Sequence, residues 1–315
     1  MNIFLLLVGL GLILAGANFL TDGAAALAQR FRVPEFIVGL TVVAVGTSTP
    51  ELVVSVLSAV GGQSDMAVGN VVGSNLFNVF VILGVCALIR PLPLSRGNIR
   101  RDIPFGLFAS LLFFLFASDR LLRFGPVDRI DRADGIIMLL LYIGLMWFTV
   151  RTAGRSAVPA KPVKPAKALW ITLVLIVVGL AGLVGGGELF LHHATVIARK
   201  LGVSESVIAI TLVAGGTSLP ELASSVVSIF KGKADLALGN VLGSNVANIL
   251  LILGVSATIR PLTMGGITAL DVSMVVVSSL LLFVAAFTFR RRVVDRWEGA
   301  LFLAIYVAYI WYLIR

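Results

Sequence analysis

Ten apolar runs, separated by short polar turns, make up nearly the whole chain. They fall at roughly 2–22, 34–60, 66–89, 103–118 and 133–150, then at roughly 169–190, 205–230, 235–259, 270–289 and 297–314. Most reach the roughly 17–25 residues that an α-helix needs to cross the hydrocarbon core of a bilayer. Residues 151–168 interrupt the pattern with a basic stretch rich in Pro and Ala, which predicts an extended, solvated linker. The pattern therefore predicts an all-α membrane protein of ten transmembrane helices. One five-helix repeat covers 1–150, a linker 151–168, and a second five-helix repeat 169–315.

The two halves repeat each other. Residues 44–51 read Ala-Val-Gly-Thr-Ser-Thr-Pro-Glu and residues 214–221 read Ala-Gly-Gly-Thr-Ser-Leu-Pro-Glu, an offset of 170. The same offset carries 65–91 onto 235–261 with 17 identities in 27 positions, including Gly-Ser-Asn at 73–75 and 243–245. With five helices per half, the second repeat must enter the membrane from the opposite side, so the repeats are inverted in topology. Such repeats place a transport site near the membrane midplane between the halves.

Composition narrows the class. A mean hydropathy of +1.04 with 13% charged residues excludes an ordinary soluble domain. The sequence pI of about 10.3 does not indicate nucleic acid, because the cations sit in short segments flanking apolar runs and form no stripe with interleaved aromatics. With the linker on the cytoplasmic side of a plasma (inner) membrane, 17 of the 25 Lys and Arg fall on that face, which puts both termini outside. The loop 119–132 dissents with Arg120, Arg123, Arg129 and Arg132, accompanied by three aspartates. Met1–Ala17 lacks the basic start of a signal peptide and reads as a retained helix. Cys86 is the sole cysteine, and His192 and His193 have no nearby partner for a zinc set.

The chemistry lies in the repeated octets. Glu51 and Glu221 are the only carboxylates deep within apolar runs, where an ionisable group costs about 2.5–3.5 kcal/mol even on lenient scales. Pro50 and Pro220 lack an N–H, which is expected to free the carbonyls of Gly46 and Gly216. Broken backbone at membrane depth is tolerated where it lines a polar cavity. Helical spacing puts Thr47 and Ser48 on the face of Glu51, and Thr217 and Ser218 on the face of Glu221. On the following helices Ser74 and Asn78 are one turn apart, as are Ser244 and Asn248. Every group offers oxygen, which selects hard cations such as Ca²⁺ or Na⁺. Two glutamates supply a charge of −2, enough for one Ca²⁺ or two Na⁺.

Elsewhere, Asp65 and Asp235 read as helix N-caps. Asn18 and Glu188, and Asp22 and His192, occupy equivalent repeat positions and read as interfacial polar residues. Gly185-Gly186-Gly187 suggests close helix contact.

The octets, together with 69–78 (Gly-Asn-Val-Val-Gly-Ser-Asn-Leu-Phe-Asn) and 239–248 (Gly-Asn-Val-Leu-Gly-Ser-Asn-Val-Ala-Asn), resemble the α1 and α2 repeats of the Na⁺/Ca²⁺ exchangers of the Ca²⁺/cation antiporter superfamily. The motifs span 44–78 and 214–248. The resemblance implies that Glu51 and Glu221 bind Ca²⁺ and share Na⁺. It implies that Thr47, Ser48, Thr217, Ser218, Ser74, Ser244 and the carbonyls of Ala44 and Ala214 complete the sites, with Asn78 and Asn248 in the remaining polar positions. It also implies an ion-holding core of helices 2, 3, 7 and 8, across which helices 1 and 6 slide. Several relatives carry aspartate at the Asn248 position, and in the K⁺-dependent branch an acid there goes with K⁺ co-transport; asparagine argues against it.

The reading is thus a Na⁺/Ca²⁺ antiporter working by alternating access. Its partners are the lipid bilayer and the two transported ions, with no cofactor and no obligatory protein partner. The alternative is a proton-coupled exchanger of the same superfamily. An intramembrane hydrolase is disfavoured because no nucleophile–base pair or metal motif lies at membrane depth, and a passive cation channel differs by lacking coupling.

Overall fold

The computed structural model describes residues 1–119, 127–153, 168–201, 214–288 and 290–314. Most of the linker and part of the run at 205–230 lie outside these residues. Among the described residues, helical segments fall in each of the ten apolar runs. In chain order they are α1 (Asn2–Phe31), α2 (Glu35–Val38), α3 (Ala44–Thr47), α4 (Thr49–Val60), α5 (Ser64–Leu76), α6 (Gly84–Ile89), α7 (Ile103–Phe116), α8 (Arg132–Ala153), α9 (Leu169–Lys200), α10 (Ala214–Gly216), α11 (Leu219–Phe230), α12 (Ala234–Val246), α13 (Gly254–Ile259), α14 (Ala269–Ala285) and α15 (Arg296–Ile314). Wide π-helical turns at Gly39–Val43, Phe77–Leu83 and Ala247–Leu253 join α2 to α3, α5 to α6 and α12 to α13. Five described spans are long and apolar enough to cross a membrane, and six if the bent pair around Ser48 counts as one; α11 and α14 are shorter apolar helices.

The chain divides into two compact units, each drawing on both sequence halves. One comprises Met1–Ser48, Phe148–Gly243 and Ala304–Arg315, the other Thr49–Trp147 and Ser244–Leu303.

In the first unit α1 packs along α9. Its core stripe, Ile13, Ala17, Leu20, Ala24 and Ala28, recurs every three or four residues and meets Ile176 and Leu183. Contacts pair Gly9 with Gly186, Gly16 with Leu183 and Gly23 with Ile176, so the two helices run antiparallel. They are equivalent at the 170-residue offset, and opposite direction is what inverted repeats require. Glycines permit this close approach. A Cβ on Gly179 would lie 2.5 Å from the Leu20 backbone nitrogen, and one on Gly16 2.6 Å from that of Leu183. Backbone on both sides cannot yield, so Gly179→Val is expected to cost more than the roughly 1–3 kcal/mol usual for overpacking. The check is a lowered melting temperature in detergent, whereas Gly185→Ala, where a Cβ meets nothing within 4 Å, should melt like the parent.

In the second unit α7 packs against α14, with Ser110 and Ser279 sharing a 2.8 Å hydroxyl hydrogen bond. Pro104 at the start of α7 lies with Phe283 at the end of α14, so this equivalent pair is antiparallel too. Two short antiparallel ribbons tie the connecting turns: β1 (Leu92–Pro93) with β4 (Val293–Val294), and β2 (Arg129–Ile130) with β3 (Leu262–Thr263). Large apolar side chains on the outer faces are exposed, among them Leu140 and Ile143 on α8 and Trp170 and Val177 on α9, as expected of surfaces solvated by lipid.

Candidate ion-binding site

The helix carrying the first octet runs from Glu35 to Thr47, breaks at Ser48 and resumes at Thr49 with a bend of 47°. Pro50 in the first turn of α4 explains the break, since it has no N–H to donate and its ring crowds the preceding turn. Ser48 adopts φ −81°, ψ 10°, and Ser218, ahead of Pro220 in the second octet, adopts φ −89°, ψ 9°. The sequence repeat is thus a backbone repeat. Backbone N–H groups of the cap close onto the carbonyls of Ala44 and Gly46, so the Gly46 carbonyl expected to be free is taken up by the tightened turn. The Ala44 carbonyl accepts from Ser48 N–H at 3.0 Å and, weakly, from Thr47 Oγ1 at 3.4 Å.

In the first unit the octets bond to each other's neighbourhood and not only within themselves. Ser48 Oγ donates to Glu221 Oε1 at 2.8 Å, joining the hydroxyl of the first copy to the carboxylate of the second. Thr47 Oγ1 donates to Asn240 Oδ1 at 3.2 Å. Asn240 Nδ2 donates to Ser224 Oγ at 2.9 Å and Ser225 Oγ at 3.0 Å, and reaches the Glu221 carbonyl at 3.4 Å. Ser48, Glu221 and Asn240 are all buried. Thr217 is half-buried in the turn that precedes α11, and Ala214 opens the described part of its helix.

The second unit holds Glu51, Ser74, Asn78, Ser244 and Asn248, each at most 1% exposed. The helix bearing Glu51 packs against α5, which bears Ser74, and against the π turn that bears Asn248. Asn70 Nδ2 donates to the Glu51 carbonyl at 3.1 Å and to Ser55 Oγ at 2.9 Å, repeating the arrangement of Asn240 around Glu221. Asn78 Nδ2 donates to Asn245 Oδ1 at 2.9 Å, which leaves Asn78 Oδ1 buried with no hydrogen-bond partner among the described residues. Ser74 Oγ, Ser244 Oγ and both polar atoms of Asn248 are in the same condition.

Leaving a buried polar group unsatisfied costs about 1–3 kcal/mol, so four such residues in two equivalent pairs call for an occupant. An oxygen that lacks a donor is satisfied equally well by a cation. Asn78 and Asn248 each stand second in a π-helical turn, Phe77–Leu83 and Ala247–Leu253. The extra residue in such a turn rotates the following side chains by about 100° relative to a continuous α-helix, a device frequent at functional sites.

Sequence spacing places Ser48 with Glu51, but the hydrogen bond that Ser48 makes is to Glu221. Asn70 and Asn240 lie outside the ligand set that the motifs predict, yet they fasten the backbone carbonyl of each glutamate. Their identity at the 170-residue offset, inside apolar runs, is the signal that could have found them. Asp65 is not an N-cap: α5 begins at Ser64, and Asp65 Oδ2 accepts from the Gly266 N–H across the turn. Asp22 forms an ion pair with Lys231 at 2.7 Å, and Lys231 also donates to the Asn18 carbonyl. The rings of His192 and His193 meet edge to face. Among the described residues no group of three or more His, Cys, Asp and Glu is placed to hold a metal ion.

Comparison with known proteins bears on this arrangement. The chain matches the family described as sodium/calcium exchanger protein over residues 1–151 and 171–315. It is 36% identical to the putative antiporter CaxA of Alkalimonas amylolytica, over 96% of this chain and 95% of that protein. It is 33% identical to the sodium/calcium exchanger MaX1 of Methanosarcina acetivorans, over 98% and 97% of the two chains. Among solved structures it is similar to the sodium-calcium exchanger NCX_Mj, with a TM-score of 0.85 and 32% identity over 98% of this chain and 97% of the other.

Proposed function

Because the chain belongs to the sodium/calcium exchanger protein family, we propose that it is a secondary antiporter coupling Na⁺ entry to Ca²⁺ movement in the opposite direction by alternating access. The observation that carries the reading is the doubled set of buried oxygens: Glu51, Ser74, Asn78, Ser244 and Asn248 in one unit, Glu221 hydrogen-bonded by Ser48 in the other. In this reading Glu51 and Glu221 ligate Ca²⁺ and alternately Na⁺. Thr47, Ser48, Thr217, Ser218, Ser74, Asn78, Ser244, Asn248 and the carbonyls of Ala44 and Ala214 complete the coordination of the transported ions. Oxygen ligands with a charge of −2 suit a hard divalent ion that takes six to eight oxygens, or roughly two monovalent ions, at one constellation.

Exchange follows when the same ligands serve either ion but not both at once, and the protein switches its open side only with the site filled. The neutral amide of Asn248 supports K⁺ independence. The charge bias supports a cytoplasmic linker and external termini in a plasma (inner) membrane.

The experiment is Ca²⁺ flux in proteoliposomes of purified protein. An outward Na⁺ gradient is expected to drive Ca²⁺ uptake that is unchanged when external choline is replaced by K⁺. Uptake driven equally well by a pH gradient without Na⁺ would replace this reading with the proton-coupled one. Large unitary currents without counter-transport would replace it with a channel.

A further inference from the structure

A second site lies in the unit formed by Thr49–Trp147 and Ser244–Leu303. A cavity of about 630 Å³ opens where the start of α7 meets the end of α14. Its polar side is made by Arg96, Arg100, Arg291 and Arg292, and no carboxylate lines it. Its other side is made by Ile99, Pro104, Phe283 and Phe287, the two rings touching edge to face at 5.2 Å.

The four arginines have no ion pair among the described residues, although carboxylates stand close by in sequence. Asp102 is engaged by Arg101 at 2.7 Å and by Asn98, while Glu298 accepts from Thr288 and from the Asp295 N–H. The Arg129 guanidinium, in another turn, is paired with Asp131 at 3.0 Å. The cavity therefore gathers positive charge that the protein leaves uncompensated.

The backbone that carries the arginines is also tied down. Arg292 stands at φ 64°, a left-handed conformation uncommon for a residue with a Cβ. Two backbone bonds fix it there: its N–H donates to the Ala286 carbonyl at 2.9 Å, and its carbonyl accepts from the Leu94 N–H at 2.7 Å. The β1–β4 ribbon extends that clamp, joining the turn that carries Arg96 and Arg100 to the turn that carries Arg291 and Arg292. Strain of this kind persists only where the surroundings over-determine it.

We propose that this cavity binds an anionic phospholipid, its headgroup phosphate on the arginine cluster and its acyl chains along Phe283, Phe287 and Pro104. Charge and shape both select that occupant. Guanidinium forks match phosphate oxygens, and a basic pocket between helix ends at the membrane boundary meets headgroups where acyl chains also find apolar wall. A soluble phosphate would use the arginines but leave the apolar half uncovered. The inference rests on the membrane location of the chain and is independent of which ions are exchanged.

The test uses the full chain purified in detergent, with native mass spectrometry counting retained lipid. Phosphatidylglycerol is expected to be retained at least roughly tenfold more strongly than phosphatidylcholine. Replacing all four arginines with glutamine should abolish that preference, and replacing Arg291 and Arg292 alone should reduce it. A photoactivatable phosphatidylglycerol should label the segments around Phe283 and Phe287 in the unmodified protein, a readout that does not depend on the variants folding. Equal retention of the two lipids, an undiminished preference in the quadruple variant, or labelling elsewhere would each overturn the proposal. Displacement of phosphatidylglycerol by millimolar inorganic phosphate would assign the arginines to a soluble anion instead. Failure of Na⁺-driven Ca²⁺ flux would count against the ion reading alone.

Discussion

Glu51→Gln and Glu221→Gln are each expected to lower Na⁺-driven Ca²⁺ flux by about a thousandfold, to the background of protein-free vesicles. Both carboxylates are essentially inaccessible to solvent, at 0% and 1% exposure, so bulk water does not screen them. Removing one unit of charge about 4 Å from a divalent ion, at an effective dielectric of 20, forfeits about 4 kcal/mol per ion charge. Glutamine keeps the shape and one oxygen, so loss of packing is not the cause. The double variant should be no worse than either single one, because a site of charge −1 already fails to hold Ca²⁺. The measurement is initial-rate radiolabelled Ca²⁺ uptake, with size-exclusion profiles confirming that each variant folds. Retention of a tenth or more of the parent flux would remove that glutamate from the ligand set.

Asn240→Leu is the second large effect. The side chain accepts from Thr47, donates to Ser224 and Ser225, and touches the Glu221 carbonyl, so it joins residues of both octets in one buried network. Leucine fills the volume but leaves those hydroxyls to find other partners. Ser224 already has one in the Glu221 carbonyl at 3.1 Å, which softens the loss. Net hydrogen-bond contributions of about 0.5–1.5 kcal/mol each, with Thr47 left only its weak bond to the Ala44 carbonyl at 3.4 Å, suggest a total of about 2 kcal/mol.

The expected result is a roughly 30-fold rise in the Ca²⁺ concentration for half-maximal flux, with a smaller change in maximal rate. Asn240 acts through Glu221 and Thr47, and so it is a positioning residue. Asn240→Asp keeps the acceptor for Thr47 and should recover part of the affinity. An unchanged half-maximal concentration in Asn240→Leu, in protein that folds, would leave Asn240 with a packing role only. Asn70→Leu, around Glu51, is expected to shift affinity in the same direction.

Much of this was legible in the chain because membranes impose simple rules. An apolar run of sufficient length has one stable conformation in lipid, so the runs read as helices, and repetition at an offset of 170 with an odd number of helices per half predicts inverted direction. The antiparallel pairing of α1 with α9 and of α7 with α14 agrees with that deduction. The proline-broken octets announced their own breaks, and Ser48 (φ −81°, ψ 10°) and Ser218 (φ −89°, ψ 9°) share one conformation.

Other features were not legible. The π turns at Asn78 and Asn248 carry no periodicity that a glance along the sequence would separate from an α-helix. The Gly46 carbonyl was expected to be free, yet the cap turn takes it up, because backbone adjusts locally before it leaves an acceptor open. Asp65 has the composition of an N-cap but bonds the Gly266 N–H, a residue 201 positions away.

By itself the sequence determined the helical class, the repeat and its inversion, and the residue types that suit a hard cation. Each of these depends on local hydropathy, on covalent spacing, or on which atoms a side chain carries. The tertiary structure alone decided which oxygens pair across the repeats: Ser48 with Glu221, Thr47 with Asn240, Asn78 with Asn245. It also decided which oxygens stay open, at Ser74, Asn78, Ser244 and Asn248, and that four arginines share one cavity. Hydrogen bonds between residues some 170 to 190 positions apart are fixed by how helices pack, and packing depends on close approach of backbones that no single segment encodes.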